Sequence, residues 1–220
     1  MTRRVVVLTA GLSQPSTTRL LADRLGQAVR AAVGNRGESV ELDVVELREL
    51  AIELATSVTT GGLPTATVAA VRERVSAADG VIAVTPIIAA GYSGLFKMFF
   101  DALDPDALNG MPVLIGATAG TARHSLVLEY AIRPLFIYLR ANVATTGVFC
   151  ATEDLQTAGT EDRVGRAAAE FARLLVTEDA AVRGFMAEDG QRPRRSGNAV
   201  GRSAPFTQLL AGHDGTAEQR

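Results

Sequence analysis

The 220-residue sequence contains a single cysteine, Cys150, and two histidines, His124 and His213. One cysteine excludes an internal disulfide framework and favours a reducing, cytoplasmic location. Two separate histidines without a cysteine cluster give no support to a transition-metal site. The formal net charge is -2, with acidic and basic residues mixed along the chain. This balance argues against a nucleic-acid partner and against a strongly acidic electron carrier.

Long apolar runs are also missing. No run approaches the roughly 20 apolar residues that a membrane-spanning helix needs, so we expect no membrane association. The short apolar run at residues 5–8 follows two arginines and superficially resembles a signal peptide. The turn-forming residues 11–18 come directly after it, and they favour a buried strand over a cleavage site.

Apolar strands and amphipathic helices alternate along most of the chain. Strands are predicted at residues 4–10, 39–46, 80–85, 112–117 and 142–149, and helices at 16–33, 65–78, 93–103, 122–140 and 160–176. Strict alternation implies a parallel sheet with right-handed crossovers and helices on both faces. The predicted fold class is α/β, a flavodoxin-like doubly wound five-stranded parallel sheet of order 2-1-3-4-5 in a three-layer sandwich.

The composition changes near residue 184. Residues 190–197 are polar, basic and rich in glycine and proline. We therefore expect one domain at residues 1–183 and a mobile C-terminal tail at residues 184–220, with a short helix near residues 205–210. The arginines of this tail are either solvated or reach a dinucleotide phosphate or a neighbouring subunit.

The turn after the first predicted strand is rich in hydroxyl groups, supplied by Ser13, Ser16, Thr17 and Thr18. A helix N-terminus attracts anions through its unpaired N–H groups and its dipole, and hydroxyl donors add to that attraction. The turn matches neither the glycine-rich dinucleotide fingerprint nor the P-loop. We interpret it as a phosphate site. The alternative is that Ser16 or Thr17 simply caps the helix.

The turns after the third and fourth predicted strands carry small residues that a flat ring could lie against. These residues are Pro86, Ile87, Ile88, Ala89, Ala90, Thr118, Ala119 and Gly120. In a doubly wound sheet, ligands bind at the carboxyl ends of the strands, where all three turns lie. A phosphate site beside a flat-ring site describes a mononucleotide, and FMN is the mononucleotide whose ring also performs chemistry. Backbone N–H groups near that ring stabilise the charge of the reduced flavin.

Residues 85–101 resemble the Thr-Pro-x-Tyr-x-x-Ser-x-x-Gly-x-x-Lys…Asp signature of NAD(P)H-dependent FMN reductases. Residues 116–124 and 129–135 resemble the branch of that family that serves two-component flavin-dependent monooxygenases. The resemblance implies an enzyme that reduces FMN with NAD(P)H by hydride transfer to N5 and supplies reduced FMN to a partner monooxygenase.

The same resemblance implies how the predicted site is used. It implies phosphate contacts from the four hydroxyls of the first turn and ring contacts from residues 86–90 and 118–120. It also implies a homodimer or homotetramer in which the third and fourth predicted helices complete the neighbour's flavin site. Ile88 and Ala89 stand where many relatives have a tyrosine and a polar residue. We therefore expect FMN to be weakly retained, as a released substrate.

Tyr130 is a candidate flavin-gating residue. Pro134 lies inside the fourth predicted helix and cannot donate a hydrogen bond to the carbonyl of Tyr130, so the helical ladder is broken there. Such breaks are relieved by π-helical turns, which often mark functional sites. The resemblance implies a tyrosine in a π-helical insertion at a subunit interface beside flavin. The alternative is an ordinary proline kink with Tyr130 in the core.

Hydride transfer to flavin needs no general acid, and we assign no catalytic side chain with certainty. Two other functions stay open at this point. The first is a quinone or azo reductase of the same fold. The second is a non-enzymatic flavodoxin-like flavin-binding protein, against which the near-neutral charge and the few aromatic residues flanking the turns argue.

Overall fold

The predicted apolar segments pair into one sheet in the computed structural model, which describes residues 1–155, 157–176 and 194–199. The strands are β1 (Thr2–Thr9), β2 (Ser39–Glu46), β3 (Gly80–Ile88), β4 (Gly91–Tyr92), β5 (Pro112–Ala119), β6 (Asn142–Val143) and β7 (Val148–Ala151). The α-helices are α1 (Thr17–Gly34), α2 (Ala51–Thr59), α3 (Ala66–Ser76), α4 (Gly94–Asp101), α5 (Arg133–Tyr138) and α6 (Ala158–Leu175). A π-helical segment, Leu128–Ile132, leads directly into α5.

The strands follow the order β2-β1-β3-β5-β6, and β7 also pairs with β5. All of these pairs are parallel, whereas the short β4 pairs antiparallel with the end of β3. Because β6 and β7 together occupy the place of the fifth predicted strand, the flavodoxin-like order 2-1-3-4-5 is confirmed. The segment at the start of the chain forms β1, as the turn chemistry after it indicates.

A separate apolar core lies on each face of the sheet, which makes the three layers. On one face, α1 and α6 bury side chains such as Leu25 and Phe171 against the sheet. On the other face, α2 to α5 cover a cluster that includes Phe96, Phe100 and Phe136, whose rings are fully or almost fully buried. The Phe100 and Phe136 centroids are 4.9 Å apart in an edge-to-face arrangement, a favourable geometry for aromatic pairs.

The fifth predicted strand is interrupted at residues 144–147, where side chains replace the strand ladder as hydrogen-bond partners. The Thr146 amide and hydroxyl both donate to the Glu170 carboxylate of α6, at 2.7 and 2.8 Å. Arg133 donates to the carbonyls of Ala144 and Thr145, at 2.9 and 2.8 Å. Since buried backbone groups need partners, these contacts allow the chain to leave the sheet between β6 and β7.

Three other sequence-based expectations about local structure need correction. Residues 47–64 were expected to form a loop, but they contain a 3-10 turn (Leu47–Leu50) and α2, whose Leu54 side chain is fully buried. The third strand extends to Ile88 and turns back into β4, so the chain reverses there and not at Thr85. The single helix expected at residues 122–140 is a 3-10 turn (Ala122–His124) followed by the π-helical segment and α5.

Part of the predicted C-terminal tail, residues 194–199, packs against α3, and Gly197 is buried there. The short helix expected near residues 205–210 lies outside the described residues. Within the described ranges, no helix is both long and apolar enough to cross a membrane.

Candidate functional site

The first turn connects the buried end of β1 to the N-terminus of α1. Ser16 caps the helix, since its Oγ accepts a hydrogen bond from the Arg19 amide at 3.2 Å. Ser16 therefore caps α1, as the alternative interpretation of this turn expects. Helix geometry leaves the Thr17 and Thr18 amides without intrahelical acceptors. Ser13 is exposed and Thr17 is half-buried, so both hydroxyls lie at least partly open to solvent at this helix end.

Two residues at the base of this turn shape the space in front of α1. A Cβ added to Gly11 would lie 2.1 Å from Ser16 Oγ, so a larger residue here would displace the hydroxyl that caps α1. Thr9 is 1% exposed, and within the described part of the chain its Oγ1 has no hydrogen-bond partner. Strand alternation puts Thr9 on the same face as Val5 and Val7, the face that α1 covers. An unpaired buried hydroxyl is energetically costly. A polar ligand group that reached this face could supply the missing hydrogen bond.

A chain of polar contacts anchors the first turn to the end of β2. Arg19 Nε donates to Asp23 at 2.8 Å and its Nη1 donates to Glu46 at 2.5 Å. Glu46 also accepts from Arg48 Nε at 2.6 Å, and Gln14, with its amide oxygen turned toward Arg48, accepts from Nη1 at 2.8 Å. The hydrogen bond with Asp23 and the two nearby carboxylates raise the pKa of Arg19 above its usual range. Arg19 is thus already paired, and the anion attraction of the turn comes from N–H groups and hydroxyls.

The second turn is the tip of the hairpin between β3 and β4. Ala89 and Ala90 adopt positive φ angles of 49° and 63°, a left-handed conformation that non-glycine residues adopt at an energetic cost. Both alanines and Ile88 are exposed, whereas Pro86 and Ile87 are half-buried. The hairpin therefore presents backbone groups and small side chains to solvent at the carboxyl edge of the sheet.

Below the hairpin, Thr85 supports the start of α4. Its Oγ1 accepts a hydrogen bond from the Ser93 amide at 3.1 Å, and Ser93 Oγ caps α4 by accepting from the Phe96 amide at 3.2 Å. Both Thr85 and Ser93 are buried. These contacts fix both ends of the hairpin, which allows the strained tip to persist.

The third predicted turn begins within the end of β5, which contacts the start of α1. Thr118 Oγ1 is 2.8 Å from Thr18 Oγ1, and both side chains are buried. Thr118 is also aligned with Pro86 in the β3–β5 register. Ala119 is buried, while Gly120 is exposed with no atom within 4 Å of a Cβ built there. The three predicted turns therefore converge on one region, and the hydroxyls of Thr18 and Thr118 are hydrogen-bonded to each other there.

Tyr130 lies in the π-helical segment Leu128–Ile132, in which the Arg133 amide donates to the Leu128 carbonyl five residues earlier. The π-helical turn predicted from Pro134 is confirmed. Tyr130 is 79% exposed, so the alternative with this side chain in the core is wrong. It borders a groove of about 560 Å³ between α4 and α5. Residues along this groove include Tyr92, Lys97, Phe100, Tyr130, Pro134 and Tyr138.

Tyr92 connects the two regions, because it pairs with Ile87 in the hairpin and also lines the groove. Lys97 forms an ion pair with Asp101 of the same helix. His124 is half-buried in the 3-10 turn after β5. The sequence-based search missed Thr9 and the Gln14–Arg48–Glu46 contacts. Thr9 had a visible signal, since it is a polar residue directly after the apolar run at residues 5–8, on the α1-facing side of β1.

Comparisons with known proteins identify the family to which the chain belongs. The sequence matches the family described as NADPH-dependent FMN reductase over residues 3–156. An FMN reductase (NADPH) from Pseudomonas aeruginosa is 34% identical over 153 residues, which cover 69% of this chain and 78% of that protein. The NADH-dependent FMN reductase SfnE from Pseudomonas putida is 35% identical over 151 residues, with 69% and 78% covered.

A solved structure of an oxidoreductase from Corynebacterium diphtheriae is also similar. It has a TM-score of 0.77 and 51% sequence identity, and the match covers 80% of this chain and 98% of that chain. The fold and the three-turn site define a flavodoxin-like protein. The chain belongs to the NADPH-dependent FMN reductase family. The sequence-based prediction of an NAD(P)H-dependent FMN reductase, with FMN and NAD(P)H as its nucleotides, is confirmed.

The contact between the first and third turns is testable with valine substitutions. Thr18→Val removes one hydroxyl and leaves Thr118 Oγ1 buried without its partner, which should lower the free energy of unfolding by about 1–3 kcal/mol. The double variant Thr18→Val/Thr118→Val should recover part of that loss, because both polar groups are then replaced. Denaturant unfolding measures both, with Thr17→Val as the matched control. Additive losses in the double variant would contradict the direct contact.

Proposed function

We propose that this FMN reductase holds FMN across the three turns, releases the reduced flavin and supplies it to a separate flavin-dependent monooxygenase. The observation that carries the proposal is the convergence of an open helix N-terminus, a hairpin of small residues and an open Gly120 at one edge of the sheet. The resemblance of residues 116–135 to the reductases of two-component systems supports the transfer step.

The first turn fits the phosphate end of FMN. The Thr17 and Thr18 amides and the hydroxyls of Ser13 and Thr17 are donors, and donors at a helix N-terminus bind phosphate. Ser16 would add its hydroxyl, which stays free to donate while its oxygen caps the helix. Gly11 provides the space that a Cβ would fill, and the unpaired Thr9 hydroxyl lies on the same side of the sheet.

The second and third turns fit the ring of FMN. Ala89 and Ala90 are exposed at the hairpin tip, and the neighbouring strand β5 places Thr118 beside Pro86 at the base of the same hairpin. Backbone N–H donors stabilise negative charge on a reduced ring without a titrating side chain. When bound, FMN supplies the ring that accepts a hydride from NAD(P)H. The chain itself binds and orients the two nucleotides, a task that requires no general acid.

We expect weak retention of FMN because the side chains at the hairpin tip are exposed and not aromatic. The tip carries Ile88, which is 46% exposed, and two alanines, where aromatic side chains would enclose a ring on both sides. The nearest aromatic residue, Tyr92, is half-buried at the base of the hairpin. A ring that is covered by few side chains buries little apolar area, so its affinity is modest and its release is fast.

A homodimer or homotetramer would cover the groove beside Tyr130. Several large side chains on this face are exposed, among them Tyr130, Tyr138, Leu126 and Ile137. Exposed apolar surface of this kind is typical of protein–protein contacts. Because Tyr92 belongs to both the hairpin and the groove, a neighbouring subunit bound there would lie next to the proposed flavin ring.

Steady-state assays with three acceptors test the reaction. Oxidation of NADH and NADPH should be fastest, in terms of kcat/KM, with FMN as acceptor, because the turns match a ribityl phosphate and a flavin ring. Menadione and an azo dye serve as comparison acceptors. A higher kcat/KM with the quinone or the dye would favour a quinone or azo reductase of the same fold. No oxidation with any of the three would favour a non-enzymatic flavin-binding protein.

The hairpin tip can be tested by changing its backbone conformation. Ala89→Pro fixes φ near -65°, whereas the native φ is 49°, and it also removes an N–H donor. We expect the dissociation constant of FMN to rise about tenfold or more, equivalent to about 1.4 kcal/mol. Ala89→Gly is the control, because glycine adopts positive φ freely and keeps the N–H group. Fluorescence titration measures both, and wild-type affinity in Ala89→Pro would contradict the proposed ring contact.

The gating role of Tyr130 predicts an unusual pair of effects. Tyr130→Ala should bind flavin more tightly and turn over more slowly, because a side chain that favours release is lost and product release then limits the rate. Tyr138→Ala is the matched control, since this tyrosine lines the same groove outside the π-helical segment and is similarly exposed. Unchanged flavin affinity in Tyr130→Ala would refute the role.

A further inference from the structure

Residues 194–199 lie on the surface of α3 and contain a turn at Gly197 and Asn198, in which the Ala199 amide donates to the Ser196 carbonyl at 2.9 Å. The Gly197 amide donates to Ser76 Oγ at 2.9 Å. Its carbonyl accepts from Arg72 Nε at 2.8 Å and Nη2 at 2.5 Å, and from the Asp104 amide at 3.1 Å. The backbone of this one residue thus joins α3 to the turn that follows α4, at residues 104–106.

Gly197 is required at this position for a steric reason. A Cβ added there would lie 2.5 Å from the Arg72 carbonyl oxygen and 2.9 Å from its carbonyl carbon. Both atoms belong to the backbone of α3, so they cannot rotate away as a side chain could. The close approach that allows the three hydrogen bonds to the Gly197 carbonyl therefore depends on the absence of a side chain.

The segment also contacts two buried charged groups. Arg72 is 6% exposed, and burial lowers the pKa of its guanidinium while the nearby Asp104 opposes that shift. Asp104 is 4% exposed. The Gly197 carbonyl accepts from Nε and Nη2 of Arg72, whereas Nη1 has no hydrogen-bond partner among the described residues. Arg195 lies 3.9 Å from carboxylate oxygens of Asp104 and Asp106. Buried charges require such partners, so α3 and the 104–106 turn are suited to this segment.

Contacts at both ends extend the docked length. Arg194 Nη1 donates to the Ala78 carbonyl at 2.6 Å, just before β3 begins. Asn198 Nδ2 donates to the Ala69 carbonyl at 2.7 Å, one turn into α3. The Arg195 amide also donates to the Asp106 carbonyl at 3.2 Å. The segment therefore runs along most of α3, starting from the amino edge of the sheet.

We propose that residues 194–199 are an intramolecular clamp. In this proposal, the carboxyl half of α3 and the 104–106 turn form a docking site for a segment that contains arginines and a turn at Gly197, which the C-terminal region of this same chain supplies. The clamp holds α3 to the end of α4. Its residues lie outside the 3–156 range that matches the reductase family. Because the clamp is anchored at the amino edge, opposite the three turns, it acts on stability and leaves flavin affinity unchanged.

The Asp104 amide is a direct probe of the clamp, since its hydrogen-bond acceptor is the Gly197 carbonyl. In the full-length protein, Gly197→Ala should speed hydrogen exchange of this amide by about tenfold or more, because the added Cβ displaces the segment. Gly165→Ala in α6 is the matched control, as a Cβ there meets no atom within 4 Å. The dissociation constant of FMN should stay within about twofold of the wild-type value in both variants.

Arg195→Glu is a second variant that introduces no steric clash, because Arg195 is about half exposed. It places a negative charge beside Asp104 and Asp106, so exchange at the Asp104 amide should rise, and 1 M salt should reverse part of that rise by screening. If Gly197→Ala does not fold, this variant decides the question. Wild-type exchange at the Asp104 amide in the variants that fold would overturn the clamp. A large loss of FMN affinity with unchanged exchange would also overturn it.

Discussion

The buried hydrogen bond between Thr18 and Thr118 is the contact on which the geometry of the site depends. It joins the start of α1 to the end of β5, two points 100 residues apart in the sequence. The parallel register of β1, β3 and β5 brings the two hydroxyls together, and one donates to the other in a place closed to water. The spacing between the first turn and the other two turns is therefore set by the core and not by flexible loops.

The two edges of the sheet have different physical characters. At the carboxyl edge, Ala89 and Ala90 hold a strained left-handed turn, Gly120 is open, and Thr9 keeps an unpaired hydroxyl. At the amino edge, the contacts around Gly197 are closely packed, and the Gly197 amide and carbonyl are both hydrogen-bonded. Strain and unpaired polar groups are costly, and a ligand at the carboxyl edge could compensate for those at Ala89, Ala90 and Thr9. Arg72 Nη1 and Asn198 Oδ1, beside Gly197, are also unpaired among the described residues.

Local patterns in the sequence were sufficient for the sheet order and for the turns that form the site. Pro134 indicated a break in the helix around Tyr130, because the missing N–H has a local consequence, and the family resemblance implied the π-helical turn that the structure contains. Helix α2 was missed although Leu47, Leu50 and Leu54 have helical spacing, since the segment was interpreted as the approach to a glycine-rich loop. The spacing of these leucines indicates a helix in this segment.

Other features could not be predicted from local sequence, because they depend on distant partners. The interruption between β6 and β7 depends on Glu170, which lies in α6. The docking of Gly197 depends on Arg72 and Ser76, whereas its own neighbours are polar residues typical of a solvated tail. Likewise, the sequence indicated hydroxyls at Thr18 and Thr118 as ligand contacts, but their mutual hydrogen bond became visible only in the fold.

Backbone NMR during titration with FMN tests whether the three turns form a single pocket. If they do, amides from all three turns shift together and follow one dissociation constant. The amides to monitor are those of Thr17, Thr18, Ala89, Ala90 and Gly120. Shifts confined to one turn, or separate dissociation constants for different turns, would contradict a single pocket.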